Sequence, residues 1–151
     1  MFIERLEQRF EQESTARPIR EIPGAAAFVA ALRERGWGIA FATGGLRGTA
    51  RVKLYMAGIA FDEEHLVTAS EHVTREELVT AAIAAASYGG EIPRENIVAV
   101  GDGLWDLLTA EQLGLRFLGV ATGAKAQRLT DRGARVLSDF TDLPRALDLM
   151  L

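Results

Sequence analysis

Apolar positions along the chain switch between two periods. Ile3, Leu6 and Phe10 recur at helical spacing among charges, so residues 3–13 read as an amphipathic helix. Residues 14–22 form a polar connector containing Pro18. Pro23 suits the first position of a helix through Leu32, and Gly36 can end it in left-handed backbone. Residues 38–43 are nearly all apolar, the pattern of a strand covered on both faces as in a parallel sheet. A helix over 46–57 stops at Gly58, and a strand is expected over 65–69. Thr74 with Glu77 makes a capping box that opens a helix to about Tyr88. Strands over 96–100, 116–121 and 134–137 then alternate with helices over 105–113 and 124–132, and a last helix runs from Thr141 to about Leu149.

Gly36, Gly58, Gly114 and Gly133 each close a helix just before or near a strand. That is the rhythm of an open, mainly parallel α/β sheet with helices on both faces. Such sheets bind ligands outside the carboxyl ends of their strands, so candidate chemistry belongs there.

Composition narrows the field. The 151 residues suit one domain and can bury a sizeable core. With 17 Lys and Arg against 21 Asp and Glu, the net charge is −4, which offers no bulk attraction to nucleic acid or to an anionic membrane. Cysteine is absent, removing disulfides, thiolate metal sites and cysteine nucleophiles. No apolar run is long enough to span a bilayer and no secretion signal opens the chain, so a cytoplasmic location is expected.

Three strand or helix ends carry chemistry. Thr43-Gly44-Gly45 puts a hydroxyl and flexible backbone N–H groups where a strand meets a helix, an arrangement that wraps an anion or simply caps the helix. Asp102 and Asp106, four apart in Gly101-Asp102-Gly103-Leu104-Trp105-Asp106, can converge on one hard cation; Asp106 also complements the helix dipole. Arg75 stands in a helix first turn, where the macrodipole disfavours a cation; on the residue alone a solvated side chain at an exposed helix end is the favoured reading, and an anionic partner is the alternative. His65 and His72 lack metal-ligand spacing, Trp37 and Trp105 read as packing residues, Asp62-Glu63-Glu64 as a solvated loop, and the cations of 47–53 as a wet helix face. A Walker loop, a complete dinucleotide fingerprint and a nucleophile elbow are all missing.

Taken in order, GWGIAFATGG, TREELVTAAI and NIVAVGDGLWDLLTAEQLGL resemble the second, third and fourth motifs of the haloacid dehalogenase (HAD) superfamily. The resemblance covers residues 23 to about 147. It implies a three-layer, Rossmann-like core over 23–151, preceded over 1–22 by the last helix of a cap and a connector. It implies Mg²⁺-dependent hydrolysis of a small phosphorylated metabolite. Thr43, Gly44 and Arg75 would bind phosphate, with Thr43 and Arg75 also serving catalysis, and Asp102 and Asp106 would hold the metal.

The family's first motif is an Asp-x-Asp that supplies nucleophile and general acid/base at the end of a central strand. Residues 1–22 contain no aspartate. The expectation is therefore the carboxy-terminal part of a phosphohydrolase, inactive alone, with the first strand missing between those that end at Thr43 and near Asp102. That gap would be filled by an upstream piece, by a partner chain or homo-oligomer donating a strand, or by residues 16–22, against which Pro18 argues. The alternative is a non-catalytic module that binds a phosphorylated ligand or another subunit. A methyltransferase-like reading of VAVGDG rests on a lone Gly-x-Gly.

Overall fold

A computed structural model describes residues 21–151. The expected cap-type helix over 3–13, and the connector up to Arg20, lie outside the described residues. Along the rest, α1 (Ala25–Glu34), β1 (Phe41–Thr43), α2 (Arg47–Met56), β2 (Leu66–Thr68), α3 (Arg75–Ala86), β3 (Val98–Gly101), α4 (Leu104–Leu113), β4 (Arg116–Val120), α5 (Gly123–Asp131), β5 (Arg135–Leu137) and α6 (Leu143–Asp148) follow in order. The alternation of periods in the sequence is therefore the alternation of strands and helices in the fold.

All observed strand pairs are parallel, but they form two sheets. One is β1–β2 and the other β3–β4–β5. Among the described residues nothing pairs with the remaining edge of β1 or of β3, which is the position of the expected missing strand. Glu21 and Ile22 do not fill it, because neither lies in a strand; Glu21 Oε2 instead accepts from Ala26 N at 2.7 Å.

Helices hold the two sheets together. Phe28 and Leu32 of α1 join Leu118, Val120, Leu137, Phe140, Ala146 and Met150 in one buried cluster, against which Ile39 and Val98 pack. The Phe28 and Phe140 rings stack at 4.4 Å. On the other face, Leu78 and Ala82 of α3 close over Val67, with Ala40 beside them. Residues 39 and 40 thus point to opposite faces, as strand geometry requires, although ladder pairing starts only at Phe41↔Leu66. That is why the expected six-residue strand over 38–43 shortens to three: one edge of it has no partner among the described residues.

Gly36, Gly58, Gly114 and Gly133 all take positive φ, as their role in ending helices demands. Pro23 is not the first helical residue. Helix α1 starts at Ala25 behind Gly24, whose φ is 81°, and a Cβ on Gly24 would meet the Phe140 carbonyl oxygen at 2.5 Å. Pro23 O instead accepts from Phe140 N at 2.9 Å. Two surface expectations also change. Trp105 is not a packing residue but stands 66% exposed. Arg47 is not part of a wet face: it reaches Glu71 Oε1 at 2.8 Å, Glu63 Oε2 at 3.2 Å and the Leu66 carbonyl. Trp37 does pack against the main cluster, and His65 is half-buried, edge-on to Tyr88 at 5.2 Å.

Candidate active site

The parallel pairing puts Thr43, at the end of β1, beside Thr68, and Gly101, at the end of β3, beside Gly119. Candidate residues that lie far apart in sequence are thereby gathered at strand carboxyl ends. Thr43, Gly44, Arg75 and Asp106 all line one cavity of about 440 Å³, which runs between the two sheets.

The Thr43 loop is held from behind. Gly45 N donates to Thr43 Oγ1 at 3.1 Å, which leaves the hydroxyl proton available to a ligand. Gly45 O accepts from Ala69 N at 3.2 Å, and Arg47 N donates to Ser70 Oγ at 3.2 Å, so the loop after β2 supports the loop after β1. Glu71 locks that support. Its carboxylate accepts from Arg47, from the buried Thr68 hydroxyl at 2.7 Å and from Thr68 N at 3.1 Å. The Arg47 hydrogen bond first, and then those from Thr68, hold the Glu71 carboxyl at about pH 2 for half-ionisation. The same contact raises Arg47 above its ordinary value.

Arg75 opens α3 behind the capping box of Thr74 and Glu77. Its guanidinium donates to Asp106 Oδ1 at 3.1 Å. Asp106, in the first turn of α4, also accepts from Gly103 N at 3.1 Å through Oδ2. Gly101 lets this carboxylate approach the strand end, because a Cβ there would lie 2.8 Å from the Asp106 Cβ and Oδ2. Asp102 does not line the cavity; it pairs with Lys125 Nζ at 2.7 Å. The hydrogen bond to Asp102, with its charge, raises the Lys125 ammonium above its ordinary value.

Lys125 is the residue that sequence reasoning passed over. It lies in the first turn of α5, just beyond the end of β4, where a cation opposes the helix dipole as Arg75 does. A cation in the first turn of a helix, set against the dipole, is the sequence signal that Lys125 shares with Arg75.

Asp102 and Asp106 supply two carboxylates at one strand end, each matched by a cationic side chain. No group of three or more His, Cys, Asp or Glu poised to hold a metal occurs among the described residues. Two carboxylates nevertheless suit a hard cation such as Mg²⁺, which keeps much of its shell as water and phosphate oxygen.

A family described as haloacid dehalogenase-like hydrolase matches residues 3–114. No curated protein matches the chain. Among solved structures, CbbY from Rhodobacter sphaeroides in complex with phosphate is 22% identical with a TM-score of 0.74, covering 91% of this chain and 62% of its own. A hydrolase from Pseudomonas syringae is 24% identical with a TM-score of 0.69, covering 84% and 59%. A phosphoserine phosphohydrolase-like protein from Francisella tularensis is 17% identical with a TM-score of 0.66, covering 93% and 69%. These likenesses bear out the α/β architecture with parallel strands between helices. The chain spans 59% and 62% of the first two structures' own length.

Proposed function

From the premise that this chain belongs to the haloacid dehalogenase-like hydrolase family, we propose that it carries the phosphate- and metal-binding part of a Mg²⁺-dependent phosphohydrolase acting on a small phosphorylated metabolite in the cytoplasm. The observation that carries this reading is that Thr43, Gly44, Arg75 and Asp106, all at strand or helix ends, line one cavity. CbbY is a neighbour in fold whose structure holds phosphate.

Each group has a part in that chemistry. The Thr43 hydroxyl and the Gly44 N–H donate to phosphoryl oxygens. Arg75, oriented by Asp106, adds positive charge to the same cavity. Such donors act by stabilising charge that grows as the phosphoryl group transfers. Asp102 and Asp106 would hold Mg²⁺, which lowers the repulsion between an anionic nucleophile and an anionic ester. The nucleophile would come from a segment outside the described residues, since Asp106 is the one carboxylate in the cavity lining and is assigned here to the metal.

That last observation also favours a second reading, a module that binds a phosphorylated ligand without turning it over. Two experiments separate and test them. Titration calorimetry with inorganic phosphate should show binding that needs Mg²⁺ and disappears in Asp102→Asn; equal binding by that variant would remove the metal assignment. In a chain that also carries an upstream Asp-x-Asp strand, Mg²⁺-dependent release of phosphate from monoesters is expected. Tight phosphate binding with no turnover in that longer chain would leave the binding module.

A further inference from the structure

The loop that carries Thr43 and Gly44 gets little support from the helix it leads into. The N-cap position of α2 is Leu46, whose side chain has no acceptor to offer. The first N–H groups of a helix need acceptors, because no turn precedes them. Here one arrives from another loop: Ser70 Oγ accepts from Arg47 N at 3.2 Å, across 23 positions of sequence.

The loop that supplies it, residues 69–72 after β2, is folded around the Glu71 carboxylate. Glu71 Oε2 accepts from Thr68 N at 3.1 Å and from Thr68 Oγ1 at 2.7 Å. Thr68 Oγ1 in turn accepts from Ser70 N at 3.3 Å, and Thr68 O accepts from Glu71 N at 3.2 Å and His72 N at 3.3 Å. Thr68 is fully buried, so its hydroxyl needs these partners. Glu71 Oε1 meanwhile accepts from Arg47 Nε at 2.8 Å. One carboxylate therefore shapes the loop after β2 and grips the first residue of α2.

Strand register makes that loop the neighbour of the Thr43 loop. Thr43 pairs with Thr68, and one step further Ala69 N donates to Gly45 O at 3.2 Å. Residues 69–71 thus hold the Gly45 carbonyl and the start of α2 together. The Thr43 loop has no stiffness of its own to replace them, because two of its residues are glycine. Side-chain packing does not hold it either: a Cβ on Gly44 would meet nothing within 4 Å.

We infer that Ser70 and Glu71 are positioning residues for the Thr43-Gly44-Gly45 loop. Neither lines the cavity. They act through Arg47 and through Ala69 on Gly45, and so fix where the Thr43 hydroxyl and the Gly44 N–H stand. This role rests on the proposed function in one respect, that phosphate is taken as the ligand of the loop.

The test compares four variants of the isotope-labelled 151-residue chain. Ser70→Ala and Glu71→Gln remove the supports, and Ser70→Thr keeps the hydroxyl at an exposed position. Arg51→Gln is the control, since it breaks only the outer pair with Glu63 at 2.7 Å. In ligand-free amide spectra, Ser70→Ala and Glu71→Gln should shift the Gly44 and Gly45 resonances and leave those of β3, β4 and β5 in place. Exchange of the Ala69 amide should quicken about threefold to tenfold, the worth of one hydrogen bond. Affinity for inorganic phosphate with Mg²⁺ should fall by a similar factor. Ser70→Thr should restore all three readouts, and Arg51→Gln should leave them unchanged. Gly44 and Gly45 resonances that stay put in both loop variants would overturn the inference. So would an Arg51→Gln chain that moves them as far, because general loosening would then be the cause. Phosphate affinity that is unchanged although the loop has moved would overturn it as well. A parent chain that binds no phosphate would instead end the proposed function, while the ligand-free spectra still decide the positioning.

Discussion

The Arg75 guanidinium and the Asp106 carboxylate meet at 3.1 Å across 31 positions of sequence. Arg75 begins α3, which packs on β1 and β2, and Asp106 sits in α4, which packs on β3 and β4. The pair thus links the helix over one sheet to the helix over the other, at the mouth of the gap between them.

Replacing Arg75 with Ala tests whether that link serves binding or stability. Both side chains are substantially exposed, 51% and 37%, and such pairs contribute at most about 1 kcal/mol. Denaturant midpoints of Arg75→Ala should therefore stay close to the parent, while affinity for phosphate in the presence of Mg²⁺ falls about tenfold or more, as expected for loss of a charge-assisted contact. A large drop in stability with unchanged phosphate affinity would make Arg75 a structural tie only.

Two glycines separate ligand approach from local packing. At Gly44 an added Cβ meets nothing within 4 Å, whereas at Gly101 it meets Asp106 atoms at 2.8–2.9 Å. Gly44→Ala should fold like the parent yet bind phosphate more weakly, because the methyl group occupies space reserved for the ligand. Gly101→Ala should displace the Asp106 carboxylate and weaken Mg²⁺-dependent binding without altering any charge. Calorimetry paired with thermal melts of both variants provides the check.

Lys125 holds Asp102 at 2.7 Å. A cation bound by Asp102 has to share or displace that ammonium. Lys125→Met should accordingly bind Mg²⁺ alone several-fold more tightly, and Asp102→Asn should abolish the gain. An unchanged Mg²⁺ isotherm for Lys125→Met would show that Asp102 does not contact the metal.

The Glu71 carboxyl titrates at about 2 in the folded chain against an ordinary value of 4.5. A folded value below the unfolded one means that its stabilisation is fully present above pH 4.5 and is lost as pH falls towards 2. Glu71→Gln should lower the urea midpoint at pH 7, and the difference from the parent should shrink through that window. A gap of constant size from pH 7 to pH 3 would show that the Arg47 and Thr68 contacts do not depend on the Glu71 charge.

Much of the local structure was legible along the chain because its causes are local. Thr74 and Glu77 form both halves of the expected capping box, since the geometry spans four residues. The glycines that end helices take left-handed backbone wherever the pattern placed them. Boundaries moved where a distant group intervened: Gly24, not Pro23, caps α1 because Phe140 leaves no room for a side chain. Trp105 looked like core from its type alone, but burial depends on what another part of the chain brings to it. Arg47 looked like surface for the converse reason, since its partners Glu63, Leu66 and Glu71 lie 16 to 24 residues away.

What the sequence determined by itself was the alternation of strands and helices, the choice of Thr43, Gly44, Arg75, Asp102 and Asp106 as candidates at strand and helix ends, and the absence of an aspartate from residues 1–22. Tertiary structure decided the pairings: Arg75 with Asp106, Lys125 with Asp102, and two sheets whose facing edges, at β1 and β3, pair with nothing among the described residues. The division has a physical cause. Periodicity, caps and turns are set by neighbours within a few positions, whereas charge pairing and sheet edges are set by packing among elements tens of residues apart.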